Sequence, residues 1–188
     1  LTLPGYPARE RHVSIIKNVG RLVGGSLNHP HQQIALSSAI PRRVRENRDF
    51  AKRSGRTFAD FIRRENPTEL SIVDLDTGRF LVPYFMRRPY NLLYALEDPG
   101  PSRLSETTAA ERRDLGLAIA MGMRMMRAAL RLLDREEAYN IVFHTGPGTG
   151  LYLEFLPRSQ EEGGFEQLGL SACQSSPFLV ARTVREAL

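Results

Sequence analysis

The stretch Asn18-Val19-Gly20-Arg21-Leu22-Val23-Gly24-Gly25-Ser26-Leu27-Asn28-His29-Pro30-His31-Gln32-Gln33 decides how the rest of the chain reads. It gathers a glycine-rich turn, a hydroxyl, two of the chain's 4 histidines around one proline, and paired amides. Histidine is the side chain whose ordinary pKa lies near neutrality, so a pair of them in polar, glycine-rich surroundings points to chemistry. Gly24-Gly25 and Asn28 are turn signals bracketing Ser26, and Gln33-Ile34-Ala35-Leu36 reads as the start of a buried strand. Upstream, His12 to Lys17 reads as a strand feeding the turn, with His12 alternating away from Val13 toward the surface. Strand, turn and strand then form a hairpin-like unit.

These residue types suit nucleotidyl transfer. A neutral imidazole attacks a phosphoryl group and leaves again, dividing one difficult displacement into two easier ones. The attacking nitrogen has to be unprotonated and aimed, which the hydrogen bond of the other ring nitrogen arranges. Backbone N–H groups at Gly24 and Gly25, the Ser26 hydroxyl and the Gln33 amide are placed to hold the non-bridging oxygens as charge builds. Pro30 fixes the backbone between the histidines. A bare His-x-His reads better as a loop with two surface histidines. The added Asn18, Gly24, Gly25, Ser26 and Gln33 favour the chemical reading.

His29-Pro30-His31-Gln32-Gln33 resembles the His-Pro-His-x-Gln signature of galactose-1-phosphate uridylyltransferases, a branch of the histidine triad superfamily. The lead-in Asn18, Gly20, Gly24 and Ser26 is similar to the family's at matching offsets. The resemblance implies that His31 carries the nucleotidyl group as a phosphoramidate and that Gln33 bonds the transferred phosphoryl group. It implies phosphate contacts for Asn18 and Ser26, and it matches His29 to a zinc ligand of metal-bearing members. It extends along the chain through Val82-Pro83-Tyr84, Pro89-Tyr90-Asn91-Leu92-Leu93, Phe143-His144-Thr145-Gly146-Pro147 and Leu153 to Arg158. Gly164-Phe165-Glu166 is similar to the family's sugar-contact turn, which makes Glu166 an acceptor for hexose hydroxyls.

The departures are informative. Only the closing segment of the family's first sheet appears in this sequence, and the further zinc ligands that would accompany His29 belong to the part before it. A structural zinc at His29 is expected only with those ligands, and no other cofactor is required. At a second metal position of some members, His144 is kept while Tyr152, Glu154 and Asn47 replace the other ligands. One histidine and one carboxylate make a poor transition-metal site, so His144 reads as a structural histidine. Glu161-Glu162-Gly163 lacks the apolar residues that usually precede the sugar turn, and galactose specificity is not implied.

The function implied is transfer of a nucleoside monophosphate between a nucleotide sugar and a sugar 1-phosphate, in a homodimer. The alternatives are a nucleotide-sugar or dinucleotide phosphorylase using inorganic phosphate, and a non-catalytic nucleotide-binding module.

Composition agrees with an ordinary globular protein: 188 residues, 41% hydrophobic and 25% charged. The single Cys173 excludes an internal disulfide and any Cys-x-x-Cys knuckle. No apolar run approaches a membrane span of roughly 20 residues, and no signal-peptide pattern opens the chain, so a cytoplasmic protein is expected. The net charge of +5 rests on arginine, concentrated at residues 42–64. Glu46, Asp49, Asp60 and Glu65 are interleaved there, and Phe50, Phe58 and Phe61 fall at helical spacing, which argues for solvated helix faces over nucleic-acid binding.

The remaining elements follow from periodicity and punctuation. A helical tract from Pro41 to about Glu65 is expected, interrupted at Ser54-Gly55 and ended by Asn66-Pro67. Strands are expected at 71–74, 79–85, 91–96, 139–144 and 151–156. Thr108 to Glu111 has the capping-box form of a helix running to about Glu137, with Leu115, Met126 and Leu130 on its apolar face. A short helix begins at Ser176-Pro177. The order predicts an α+β fold, a histidine-triad-like antiparallel sheet with covering helices, its second half complete and its first half partly present. Residues 1–68 form the closing part of the first half and 69–188 the second.

Overall fold

Tyr139, Ile141 and Phe143 alternate with Asn140, Val142 and His144 along the strand that becomes the middle of the molecule. A strand with two different faces needs a cover on each, and both covers are present. The computed structural model describes residues 11–25 and 31–187. Seven strands form one antiparallel sheet: β1 (His12–Val19), β2 (Gln33–Ser37), β3 (Ser71–Asp74), β4 (Gly78–Leu81), β5 (Leu92–Leu96), β6 (Tyr139–His144) and β7 (Tyr152–Pro157). Their spatial order is β2-β1-β6-β7-β5-β4-β3. The sheet is continuous across the expected boundary near residue 68, as β1 pairs directly with β6.

One face packs under α3 (Ala109–Leu132) and α5 (Pro177–Glu186). Ile141, Phe143, Leu153 and Phe155 meet Leu115, Met126 and Leu130 there, most of them fully buried. Each such side chain contributes about 1.5–3 kcal/mol of burial. The helix comes so close that a Cβ on Gly122 would lie 2.1 Å from the Phe155 ring, so glycine is required at the crossing. Thr108 and Glu111 form the expected capping box: the Thr108 hydroxyl accepts from Glu111 N, and Thr108 N donates to Glu111 Oε2 at 2.7 Å. The helix ends at Leu132, earlier than expected. Arg135 N donates back to Leu130 O at 2.8 Å and Asp134 takes a left-handed φ of 51°, which closes the helix and aims the chain into β6.

The opposite face is covered by α1 (Arg42–Ser54) and α2 (Phe58–Glu65), split at Gly55 as expected. Ala59 and Ile62 of α2 pack on Leu81, Leu93, Ala95 and Tyr152. Phe50, Phe58 and Phe61, all half-buried, form edge and stacked ring contacts with one another. The arginine-rich tract is laced with ion pairs, among them Arg42–Glu46, Arg56–Glu65, Arg63–Glu97 and Arg64–Asp60. Among the described residues no helix is long and apolar enough to cross a membrane.

Two strand expectations are corrected. β2 is not buried: it pairs with β1 at the sheet edge, leaving Ile34 70% and Leu36 59% exposed. Its apolar residues satisfied the periodicity of a core strand, but neither helix layer reaches that far. His12, expected at the surface, is buried at 8% exposure, because residues 103–105 and 145–147 crowd that end of β1.

Candidate active site

Pairing fixes where the motif residues fall. β1 and β2 align Ile16 with Gln33, and β1 and β6 align Asn18 with Asn140. Side chains two apart share a face, so Gln33, Ile16, Asn18 and Asn140 all project to the α1–α2 side of the sheet. His31 precedes β2 by two residues and is partly buried. Ser26 and His29, the latter the expected zinc ligand, lie outside the described residues.

The glycine-rich turn begins where β1 ends. Gly20 has φ 91°, and a Cβ there would lie 2.2 Å from Glu137 O, so the chain passes against the entry to β6 only as glycine. A short 3-10 turn over Arg21–Val23 follows. Gly24 N donates to Arg21 O at 3.2 Å, and Gly25 N donates to Gly20 O at 2.9 Å. These bonds correct the expectation that the Gly24 and Gly25 amides face a phosphate. Both are taken up within the turn, and what the glycines supply is its shape.

Two residues not singled out from the sequence hold this turn. Asn140 Nδ2 donates to Asn18 Oδ1 at 2.8 Å and to Val23 O at 3.3 Å. The Arg158 guanidinium donates to Leu22 O at 3.3 Å from the far end of β7. The available signal was strand alternation: Asn140 is a polar residue flanked by apolar neighbours in a central strand.

Deeper on the same face lies a buried polar cluster. His144 Nε2 and Arg87 Nη2 each donate to Glu154 Oε2 at 2.7 Å, and Asn91 Nδ2 donates to Glu154 Oε1 at 3.3 Å. Arg43, from α1, stands 4.0 Å from the same carboxylate. The Tyr152 ring stacks on His144 with centroids 4.4 Å apart. Burial pushes the Glu154 carboxyl upward, but the His144 bond and the Arg87 and Arg43 charges outweigh it and hold the group far below the usual carboxylate range. Burial likewise pushes His144 below its ordinary value, more than Glu154 raises it. The pair is therefore carboxylate and neutral imidazole, and two guanidiniums supply the positive charge around Glu154. That donor set does not fit a metal ion, and His144 is a hydrogen-bonded strand residue. Among the described residues no group of three or more His, Cys, Asp or Glu side chains is arranged to hold a metal.

Glu166 sits apart, on the short helix α4 (Gly164–Gln167). Its Oε2 accepts from Gly163 N at 2.8 Å and its Oε1 from Ala172 N at 3.1 Å, so its hydrogen bonds stay within its own turn. Phe165, Leu168 and Leu170 around it are 63%, 78% and 58% exposed.

No family model matches the chain. In sequence it is similar to the galactose-1-phosphate uridylyltransferase of Haemophilus influenzae, 28% identical over 149 residues. That match takes in 76% of this chain and 42% of the relative, so the chain spans less than half of that protein's length. In structure it is similar to a uridylyltransferase at a TM-score of 0.82 and 21% identity, covering 96% of this chain and 62% of the other. It is also similar to an ADP-glucose phosphorylase from Arabidopsis thaliana solved with ADP-glucose, at a TM-score of 0.79 and 20% identity over 94% and 59% of the two chains. The α+β sheet expected from the sequence is thus the fold these proteins share.

Proposed function

We propose that this galactose-1-phosphate uridylyltransferase-like chain transfers a nucleoside monophosphate between a nucleotide sugar and a sugar 1-phosphate through a covalent intermediate on His31. The observation that carries the proposal is the alignment of Asn18 and Gln33 on one sheet face beside the glycine turn, with His31 two residues before Gln33 in the chain. A neutral imidazole nitrogen of His31 attacks the nucleotidyl phosphorus. The bond from that phosphorus to the bridging oxygen breaks, and sugar 1-phosphate leaves with the electron pair. In the second half-reaction a phosphate oxygen of the acceptor attacks the same phosphorus, and the P–N bond breaks to restore neutral imidazole. Gln33 and Asn18 donate N–H groups to the non-bridging oxygens, where they count most as charge rises in the transition state.

A second acceptor, inorganic phosphate, is favoured by the state of Glu166. Each of its oxygens accepts one bond from its own turn, which ties the carboxylate to that turn and leaves it fewer free acceptor positions for a sugar hydroxyl. The same chemistry then runs as a phosphorylase.

Intact-protein mass spectrometry tests the proposal. Wild type and His31→Ala are incubated separately with UDP-glucose, UDP-galactose and ADP-glucose. A mass gain of one nucleoside monophosphate in wild type, absent in His31→Ala, is the expected result and names the base. Discharge of the adduct by sugar 1-phosphate or by inorganic phosphate then names the acceptor. No gain from any donor overturns the covalent reading in favour of a binding module.

A further inference from the structure

Asn140 occupies an unusual place in the sheet. It is a carboxamide in the central strand β6, directly opposite Asn18 of β1, and its Nδ2 reaches both Asn18 Oδ1 (2.8 Å) and Val23 O (3.3 Å). The second of these contacts fixes the orientation of the first. A backbone carbonyl only accepts, so the Asn140 atom facing Val23 has to be the amide nitrogen. With that nitrogen donating, the Asn18 atom beside it has to be the oxygen. The Asn18 amide nitrogen is thereby turned the other way, toward the glycine turn, where a Cβ on Gly24 would lie 3.3 Å from it.

From this chain of donors we infer that Asn140 is a positioning residue: it orients the Asn18 carboxamide so that its N–H groups, and not its oxygen, face the phosphoryl-binding side of the turn. An uncontrolled asparagine flips between presenting a donor and presenting an acceptor, and an acceptor facing a phosphate repels it. Asn140 removes that choice from a distance and ties it to the Val23 carbonyl, so the turn and the side chain are set together. Asn140 touches no reacting atom in this scheme. The inference rests on the phosphate role proposed for Asn18, and the experiment separates failure of one from failure of the other.

A double-mutant cycle is measured on Asn18→Ala, Asn140→Ala and the double variant, with Asn140→Asp as a shape-preserving control that replaces the donor by an acceptor. Two readouts are taken: UMP affinity by calorimetry and the rate of adduct formation with UDP-glucose by mass spectrometry. Asn140→Ala and Asn140→Asp each weaken UMP binding in the wild-type background by roughly tenfold, as expected for a lost oriented donor. In the Asn18→Ala background Asn140→Ala alters affinity by less than about twofold, the signature of a residue acting through another, whereas Asn140→Asp keeps the repulsion of its added charge. Equal effects of Asn140→Ala in both backgrounds, or none in either, overturn the inference. Circular dichroism and unfolding midpoints of Asn140→Asp separate loss of fold from loss of orientation. If wild type binds UMP and shows the coupling but never forms an adduct, the positioning role stands and the covalent reading falls. Absence of UMP binding in wild type overturns both.

Discussion

His144 and Glu154 meet diagonally across β6 and β7 with Nε2 and Oε2 2.7 Å apart, and the carboxylate is the charged member of the pair. A neutral histidine bonded to a buried carboxylate reverses the usual imidazolium–carboxylate ion pair. The arrangement holds because the buried His144 ring is costly to charge and the partly exposed Arg87 and Arg43 already supply Glu154 with positive charge.

Stability therefore depends on pH in a defined direction. The folded-state pKa of His144 lies below its ordinary value of 6.5. Between the two, unfolded chains bind a proton that folded chains do not, so stability rises with pH through that window. As pH falls below about 6.5, stability drops by up to about 1.4 kcal/mol per unit from this residue. Glu154, whose pKa is depressed, contributes stability that is present above about 4.3 and lost only in stronger acid. Urea unfolding at several pH values checks this, and His144→Gln flattens the upper window alone. An unchanged slope in His144→Gln contradicts it.

Removing the carboxylate has a larger effect. Glu154→Gln leaves the partly exposed Arg87 guanidinium without its charged partner and gives His144 a weaker acceptor, at a cost of about 1–3 kcal/mol. The unfolding midpoint in urea is the measurement. A loss under about 1 kcal/mol would show that solvent reaches Arg87 and relieves it.

Gln33→Ala is expected to separate chemistry from folding. Gln33 lies exposed on an edge strand, so stability changes by no more than about 0.5 kcal/mol. If its amide supports the transition state, nucleotidyl transfer slows by about 10²–10³-fold. Single-turnover rates beside an unfolding curve check both halves, and an unaltered rate reassigns Gln33 to structure.

Gly20→Ala acts through the backbone. The substitution meets φ 91° and an approach of 2.2 Å to Glu137 O, so the turn has to move away from β6. The strain is about 1–3 kcal/mol, and adduct formation falls with it because Val23 and Asn18 lose their shared partner. A crystal structure of the variant with an unmoved turn would contradict this account.

The contrast between what the sequence disclosed and what it hid is physical. Helix caps and breaks are local, so the Thr108–Glu111 box, the Gly55 interruption and the Pro177 start were all legible. Strand existence was legible for the same reason, since alternation is written along each segment. Neighbour relations were not. Ile34 and Leu36 alternate like core residues, and only the strand order reveals an edge. His12 looked outward until the loops at 103–105 and 145–147 closed over it. Asn140 pairs with Asn18 across 122 residues of sequence, and Arg87 with Glu154 across 67, which no window of local pattern spans. The motif itself was legible because its residues are adjacent in the chain, whereas the groups that hold it are not.

The edge position of β2 also bears on time. Core strands such as β6 exchange their amide hydrogens only when the whole sheet opens, whereas an edge strand peels away in small, frequent excursions. Each excursion takes Gln33 out of register with Ile16 while α3 and its sheet stay packed. If Gln33 serves the proposed transfer, a molecule whose core stays folded is silent for part of its life, and its rate follows the closed interval of one five-residue strand.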